Sequence, residues 1–189
     1  VIVGCGGVGS WTALFTSMVG IDNIHLFDRD KVEEHNLNRT PYTKEDIGKP
    51  KVEALKNVIA RYRPECSVIG YKSFLRKSNV LPYGSTCIID CTDNLKSQKE
   101  IETLAKESKV RYIRAGYDVK SNNTIVNVHH TNKNVWDNDP EERGYSTPPA
   151  PSFVVPAAVA GALAVFAMVK NTNPKGVYLL EKLIDSEVI

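Results

Sequence analysis

The sequence predicts an α/β fold: a doubly wound, Rossmann-like, mostly parallel sheet with helices on both faces. Apolar runs typical of strands alternate with segments of helical periodicity, which favours parallel strands joined by right-handed crossovers. A glycine-rich turn follows the first apolar run, and an acidic residue closes the second, as in many folds of this class. A chain of 189 residues suffices for one such domain but not for two large ones. We therefore predict a single domain over residues 1–189.

The first unit of the fold is a strand, a glycine turn and a helix. The apolar residues 1–3 lead into the turn Gly4-Cys5-Gly6-Gly7-Val8-Gly9, and a helix is predicted from Ser10. Three apolar residues are fewer than a typical strand contains. We therefore expect the chain to begin inside its first strand, with an incomplete N-terminus.

The later elements continue the alternation of strands and helices. A helix is predicted between Pro50 and Pro64, because proline suits the first turn of a helix and stops one that reaches it later. Another is predicted over residues 97–109, where Ile101, Leu104 and Ala105 share one side. Further strands are predicted over residues 24–27, from Val68, and over residues 87–90, 110–113 and 124–129.

Two segments depart from this alternation. Residues 154–169 form an alanine-rich apolar run that contains Pro156 and Gly161, and it is shorter than the roughly 20 apolar residues that cross a bilayer. We predict a buried helix there and no membrane association. Residues 131–152 are polar and carry four prolines, and connections of this length are usually mobile or functional.

Composition and charge exclude several classes of protein. Hydrophobic residues make up 42% of the chain and charged residues 24%, which excludes intrinsic disorder. The net charge of +2 is too small for a general nucleic-acid binder, although a local basic patch stays open. Four cysteines without a CxxC pair predict free thiols in a reducing cytoplasm. Cys87 and Cys91, about 13 Å apart along a strand, are interpreted as core thiols.

The glycine turn carries the first chemical signal. Gly4, Gly6 and Gly9 satisfy G-x-G-x-x-G between a strand and a helix, where a bare backbone can approach a phosphate at the helix N-terminus. Asp28 ends the second strand, about 20 residues further on, where a carboxylate can accept hydrogen bonds from ribose hydroxyls. These two features alone are also typical of an NAD-dependent oxidoreductase.

The residues after Asp28 favour a triphosphate over a dinucleotide. Arg39 and Lys51 offer a bidentate guanidinium and an ammonium, which suit the charge of a β,γ-diphosphate. Asp93 lies in Asp90-Cys91-Thr92-Asp93-Asn94, just past the end of a predicted strand. One carboxylate together with phosphate oxygens is a common environment for Mg²⁺, so Asp93 is the predicted magnesium ligand.

In their order, these motifs resemble the ThiF/MoeB/HesA family, the ubiquitin-activating type of adenylating enzyme. The resemblance implies that the glycine loop, including Gly7, and Asp28 hold the adenosine side of ATP, whereas Asn36, Arg39 and Lys51 hold its phosphates. It implies Mg²⁺ on Asp93. Asp30 and Asn94 are added as nucleotide-binding residues, with helix capping or support of the site as their alternative. The matching stretches are Gly4-Cys5-Gly6-Gly7-Val8-Gly9-Ser10, Asp28-x-Asp30-x-Val32-x-x-x-Asn36-Leu37-x-Arg39, Gly48-Lys49-Pro50-Lys51 and Asp90-Cys91-Thr92-Asp93-Asn94, with a late Ala- and Gly-rich helix over residues 156–170.

The implied reaction is adenylation of the C-terminal carboxylate of a small ubiquitin-like or sulfur-carrier protein. Such a carboxylate has a pKa near 3.5 and is ionised at pH 7, so alignment and charge stabilisation replace a general base. We expect the partner's tail to follow the long loop over residues 131–152, and the resemblance implies a homodimer.

Departures from the family pattern keep alternatives open. The two CxxC pairs that hold a structural zinc in many members are absent, so no zinc is predicted. No cysteine follows Cys91, so the reaction is expected to stop at the acyl-adenylate or to pass it to a cysteine elsewhere. A second interpretation is an ATP-dependent dehydratase of a modified adenosine in tRNA, the TcdA branch, which Gly9-Ser10-Trp11 and Pro64-Glu65-Cys66 resemble. An NAD-dependent oxidoreductase and an inactive regulatory subunit are the remaining alternatives.

Several further residues have structural explanations that compete with a role in the site. We interpret Trp11 as a core residue, Lys49 and Arg114 as solvated charges, and His35 as a surface residue with phosphate contact as its alternative. The adjacent His129 and His130 point to opposite sides of a strand and cannot share one metal ion.

Overall fold

A computed structural model of the chain describes residues 1–120, 123–130, 153–170 and 176–179. The strands are β1 (Ile2–Val3), β2 (Asn23–Phe27), β3 (Ser67–Tyr71), β4 (Cys87–Asp90), β5 (Arg111–Lys120), β6 (Asn123–His130) and β7 (Gly176–Leu179). The α-helices are α1 (Gly7–Met18), α2 (Lys51–Tyr62), α3 (Leu95–Glu107) and α4 (Val154–Lys170). Two single-turn 3₁₀ helices, Glu34–Asn36 and Lys44–Asp46, lie between β2 and α2.

The strands form one sheet in the order β3-β2-β1-β4-β5-β6-β7. The first five strands are parallel, whereas β6 runs antiparallel to β5 and β7 antiparallel to β6. The predicted Rossmann-like, mostly parallel fold is confirmed. Strand periodicity carries no direction, so the antiparallel pairing of β6 could not be predicted from it, and β7 was not predicted.

The sheet is buried on both faces near its centre. In β1, Ile2 packs with the core that contains α1 and α2, whereas its neighbour Val3 packs with the core that contains α3. In β4, Ile89 packs with the core that contains α1 and α2, and Ile88 packs with the core that contains α3. Successive side chains point to opposite faces, and strands covered on both faces have continuous apolar runs. This is why apolar residues in β1 and β4 are consecutive and do not alternate with polar ones.

The ends of α3 differ from the predicted bounds. Asn94 caps the helix by accepting a hydrogen bond from the backbone N–H of Ser97 at 3.0 Å, so the helix begins at Leu95 and not at Ser97. At the other end Lys109 has a φ of +56°, a left-handed conformation that stops a helix. The prediction of residues 97–109 was therefore wrong by two residues at each end.

The late helix α4 packs beside α1. A Cβ on Gly161 would lie 2.9 Å from the backbone nitrogen of Thr12, so only glycine permits this approach of the two helices. The prediction of a buried helix was partly wrong, because Phe166 and Val169 are each 55% exposed. Within the described ranges, no helix combines the length and the apolar character needed to cross a membrane. The predicted long loop over residues 131–152 lies outside the described residues.

Candidate active site

The predicted site residues gather at the carboxyl ends of three adjacent strands. The order β2-β1-β4 places the segments after Phe27, Val3 and Asp90 side by side. A Cβ on Gly4 would lie 3.0 Å from the carbonyl oxygen of Cys91, so the glycine loop and the end of β4 are in contact. Crevices at this edge are where open α/β sheets bind ligands.

The glycine loop is shaped by two close backbone contacts. Gly4 has a φ of +85°, and its N–H donates to the carbonyl oxygen of Phe27 at 2.9 Å. A Cβ on Gly9 would lie 1.7 Å from the carbonyl oxygen of Gly4, so α1 can meet the loop only through glycine. Gly6 precedes α1 without a side-chain cap, and a Cβ there would meet nothing within 4 Å. The first amides of an α-helix have no intrahelical partner, so those of α1 can serve as donors to an anion.

Asp28 is held against the glycine loop by backbone donors. Its Oδ2 accepts from the N–H of Cys5 at 2.7 Å, and its Oδ1 accepts from the N–H of Asp30 at 2.8 Å. Burial raises the pKa of Asp28, while these two hydrogen bonds and the charge of Lys51 counteract the rise. Each carboxylate oxygen has a further lone pair, so Asp28 can still accept from a ribose hydroxyl.

Tyr42 is a buried residue that sequence reasoning missed. Its hydroxyl donates to the carbonyl oxygen of Cys5 at 2.7 Å and lies 3.4 Å from that of Lys51. Tyr42 therefore connects the glycine loop to the first residue of α2. No local pattern indicates this role, because the tyrosine lies 37 residues from Cys5.

Lys51 and Asp30 form an ion pair at the start of α2. The Nζ of Lys51 lies 3.2 Å from Oδ2 of Asp30, and the backbone N–H of Lys51 donates to the Asp30 carbonyl oxygen at 2.9 Å. The Lys51 side chain is 12% exposed and that of Asp30 55%. Asp30 thus anchors the ammonium group, which fits the supporting role given as its alternative.

Arg39 and Asn36 lie on the polar segment that follows β2. Asn36 is buried and its Oδ1 accepts from the N–H of Glu33 at 3.0 Å. The Arg39 guanidinium donates to the carbonyl oxygen of His35 and to Oδ1 of Asn38. A Cβ on Gly7 would lie 3.4 Å from Cδ of Arg39. The structure therefore places Arg39 beside the glycine loop and gives Asn36 a structural contact.

Two residues with competing explanations lie at this segment: Trp11 of α1 contacts it, and His35 lies on it. Trp11 is half-buried, and its indole N–H donates to the Arg39 carbonyl oxygen at 3.0 Å. His35 is exposed and lies 3.4 Å from Glu33, as expected of a surface residue. Lys49, predicted to be a solvated charge, has a side chain that is 46% exposed and lies 3.1 Å from the buried carboxylate of Asp46. His129 and His130 end β6, where side chains are not described.

The end of β4 is organised by a buried carboxylate. Asp90 is fully buried, and its Oδ1 accepts from the backbone N–H of Thr92 at 2.9 Å and from the Thr92 hydroxyl at 2.7 Å. Its Oδ2 accepts from the hydroxyl of Tyr112 at 2.8 Å. Burial raises the pKa of Asp90, and these bonds and Arg114 counteract the rise. The sequence motif contains Asp90, but no local pattern indicates its contact with Tyr112, 22 residues further along the chain.

Asp93 and Asn94 follow this turn at the start of α3. Asp93 is exposed and makes no hydrogen bond or ion pair with any residue that the structure describes, whereas the Asn94 side chain caps the helix. The described ranges hold no cluster of three or more His, Cys, Asp or Glu side chains suited to a metal ion. The donor set therefore fits only a cation held by one carboxylate with oxygens of a bound phosphate, which is acceptable to Mg²⁺.

The four cysteines are unsuited to nucleophilic attack. Burial raises the pKa of Cys5, Cys66, Cys87 and Cys91, to about 12 for Cys91. The thiolate is the reactive form of cysteine, so all four thiols are protonated at neutral pH. The core assignment holds for Cys87, which is buried, while Cys91 is half-buried at the edge of the site.

The fold and the glycine loop together define a Rossmann-like α/β protein. The chain belongs to the ThiF family, whose family model matches residues 1–184. The resemblance noted in the sequence is thereby confirmed.

Two of the most similar relatives are named for different substrates, a modified nucleoside in tRNA and a ubiquitin-like modifier. The tRNA threonylcarbamoyladenosine dehydratase of Haemophilus influenzae is 32% identical over 119 residues, covering 61% of this chain and 46% of the relative. The ubiquitin-like modifier-activating enzyme 5 of Aedes aegypti is 30% identical over 129 residues, covering 61% of this chain and 32% of the relative. The chain thus spans less than half the length of these curated relatives.

A crystal structure of Escherichia coli MccB with ATP has a similar fold. It superposes with a TM-score of 0.74 at 21% sequence identity, over 93% of this chain and 57% of that one. At this identity the similarity supports the fold alone.

Proposed function

We propose that the protein catalyses ATP-dependent adenylation of a carboxylate. The observation that carries the proposal is the set of direct contacts that joins Cys5, Asp28, Asp30 and Lys51 into one unit at the carboxyl edge of the sheet. This unit supplies a ribose acceptor, adjoins the N-terminal amides of α1, which have no intrahelical partner, and holds an ammonium group in place. A dinucleotide oxidoreductase explains the first two features but gives Lys51 and Arg39 no role.

In the proposed reaction these groups bind and align ATP. Asp28 accepts from the ribose, the amides of the glycine loop and α1 face the phosphates, and Lys51 and Arg39 offset the phosphate charge. A carboxylate oxygen of the acceptor attacks the α-phosphorus, the bond from that phosphorus to the bridging oxygen breaks, and pyrophosphate leaves. The carboxylate is already ionised, so the residues supply alignment and charge stabilisation.

Magnesium is proposed on Asp93. When bound, Mg²⁺ would neutralise charge on the leaving pyrophosphate. The carboxylate suits this role because it is exposed and unpaired within the described chain.

We propose a modified nucleoside in tRNA as the first acceptor, with the tail of a small ubiquitin-like or sulfur-carrier protein as the second. The name of the H. influenzae relative supports the former, and that of the A. aegypti relative supports the latter. The four thiols of this chain have raised pKa values, so a carrier pathway that continues through a thioester would use a cysteine elsewhere.

A homodimer is also proposed. The exposed face of α4 carries an apolar stripe of Val155, Ala162, Phe166 and Val169, and apolar helix faces of this kind favour association. Light scattering should give twice the chain mass for the wild type and a lower mass for Phe166→Glu. Val80→Glu, at another exposed apolar residue, should remain dimeric.

The experiment that tests the proposed function is calorimetric titration with ATP plus Mg²⁺, with NAD as the parallel ligand. We expect MgATP binding that weakens in Asp93→Ala and persists in Glu107→Ala, an exposed residue at the far end of α3. NAD binding without ATP binding would contradict the proposal. An Asp93→Ala variant with wild-type MgATP affinity and adenylation would contradict the metal assignment only.

Pyrophosphate exchange then separates the two acceptors. Exchange between labelled pyrophosphate and ATP requires a carboxylate to be adenylated reversibly. We expect tRNA that carries threonylcarbamoyladenosine to stimulate exchange and unmodified tRNA not to do so. Stimulation by a carrier protein and not by tRNA would support the second acceptor.

A further inference from the structure

The connection from β3 to β4 is basic and aromatic, in contrast to the balanced charge of the chain. Residues 72–86 contain three cations, Lys72, Arg76 and Lys77, and no Asp or Glu. The segment leaves the carboxyl end of β3, next to the end of β2 that carries Asp28. It therefore adjoins the proposed nucleotide site.

A phenylalanine in this segment is contacted by two guanidinium groups. The Cζ of Arg29 lies 4.3 Å from the centre of the Phe74 ring, and the Cζ of Arg76 lies 4.8 Å from it. Phe74 is 40% exposed. A guanidinium on an aromatic ring keeps its N–H donors free for other partners, so the cluster presents both stacking surface and positive charge.

Arg29 and Arg76 each have an acidic neighbour, but their N–H groups stay available as hydrogen-bond donors. Arg29 lies 3.7 Å from Asp30, and Arg76 lies 3.7 Å from Glu100, both beyond the length of a hydrogen bond. Lys77 forms no ion pair with the residues that the structure describes. Lys72 is paired with Glu53 and does not contribute.

The segment is anchored so that these side chains face outward. Leu75 is buried in the core that contains α3, and Leu81 packs against the same core. Phe74 and Arg76 flank the buried Leu75, and Tyr83 two residues beyond Leu81 is fully exposed. The anchored, acid-free segment thus exposes an aromatic ring, and stacking of nucleobases is the chemistry that such aromatics serve in RNA recognition.

We infer that Arg29, Phe74, Arg76, Lys77 and Tyr83 form an RNA-binding surface, called here the Phe74 surface. It takes the unpaired bases of an RNA loop by stacking on aromatic rings and guanidinium planes, and it pairs with their phosphates through Arg76 and Lys77. The inference rests on the proposed function, because RNA held there would present a loop nucleoside to the ATP site.

The test is fluorescence anisotropy of a labelled tRNA transcript, without ATP, over a series of salt concentrations. We expect Arg76→Gln, Tyr83→Ala and Phe74→Leu each to weaken binding about tenfold. Arg76→Gln should also reduce the slope of log affinity against log salt by about one. Phe74→Leu keeps the position apolar and removes only the ring.

Matched controls come from α2. Arg61→Gln and Tyr62→Ala change an exposed arginine and an exposed tyrosine away from the Phe74 surface, and both should bind tRNA as the wild type does. Equal affinity of the control and surface variants would overturn the inference. Binding of polyglutamate that shows the same dependence on Arg76 and Tyr83 would overturn it in favour of an acidic protein partner.

Parallel titration with MgATP separates failure of this inference from failure of the proposed function. Surface variants that lose tRNA affinity and retain MgATP affinity support the inference. A wild-type protein that binds MgATP and not tRNA overturns the inference and leaves adenylation intact. A protein that binds tRNA through the Phe74 surface and does not bind MgATP supports the surface and contradicts adenylation.

Discussion

The hydroxyl of Tyr42 lies 2.7 Å from the carbonyl oxygen of Cys5, with both residues buried. Burial raises the pKa of Tyr42 well above its usual value, so the phenol remains a hydrogen-bond donor at any working pH. The Cys5 N–H donates to Asp28 at the same time. One residue of the glycine loop is thus held on both sides, by the tyrosine through its carbonyl oxygen and by the proposed ribose acceptor through its N–H.

Tyr42→Phe should weaken ATP binding more than it weakens the fold. The loss of one buried hydrogen bond costs about 1 kcal/mol of unfolding free energy, whereas the released loop changes position against the nucleotide. Urea denaturation and ATP titration measure the two effects. Tyr62→Phe on the surface of α2 is the control, and unchanged ATP affinity in Tyr42→Phe would show that the loop does not depend on this bond.

Gly9→Ala and Gly6→Ala should separate stability from binding. The new Cβ at position 9 would lie 1.7 Å from a backbone oxygen, and overpacking of this kind costs about 3 kcal/mol. At position 6 the Cβ meets nothing within 4 Å, so the fold is retained while the methyl group enters the space proposed for phosphate. Thermal unfolding should show a lower melting temperature for Gly9→Ala, and titration with MgATP should show weaker binding to Gly6→Ala. Equal melting temperatures for both would be inconsistent with the Gly9 contact.

Lys51→Met should lower the adenylation rate about a hundredfold, corresponding to about 3 kcal/mol of transition-state stabilisation. Stability should change little, because the partner Asp30 is more than half exposed and such a carboxylate is well solvated without its cation. Pyrophosphate exchange measures the rate. Lys56→Met changes an exposed lysine of the same helix and should exchange normally; a loss of equal size there would point to general damage.

Asp90→Asn should alter the pH dependence of stability. Because burial raises the folded-state pKa of Asp90, the neutral carboxyl favours the folded state. That stability is fully present below the unfolded-state pKa near 4 and is lost as pH rises through the folded-state pKa. The unfolding free energy of the wild type minus that of the variant should therefore decrease over this window. Urea titrations across acidic and neutral pH measure it, and a constant difference would contradict the raised pKa.

Much of the fold could be predicted because its signals are local. The apolar run of residues 87–90 and the proline before Lys51 each specify an element from adjacent residues alone. Helix ends were less predictable, since the start of α3 depends on the Asn94 cap and its end on the left-handed Lys109. The pairing of β6 with β5 and β7 depends on partners distant in sequence, which periodicity does not encode.

The residues of the candidate site could largely be predicted from the sequence, but the contacts that join them could not. Spacing could place Asp28 near the glycine loop, because both follow strands that a Rossmann-like order makes neighbours. Nothing local to Asp30 indicates that its carboxylate meets Lys51, 21 residues away. Tyr42 and Tyr112 were missed because a buried tyrosine resembles any other core aromatic until its hydroxyl partner is known.

The contact between α1 and α4 has a consequence for biosynthesis. A Cβ on Gly7 would lie 3.4 Å from the Cβ of Ala157, so the helix that begins at the glycine loop is backed by a segment roughly 150 residues later. At about 5 to 20 residues per second, translation takes about 8 to 30 seconds to reach that segment. During this interval the nascent chain exposes the small-residue face of α1 to water, and we expect ribosome-associated chaperones to cover it until α4 emerges.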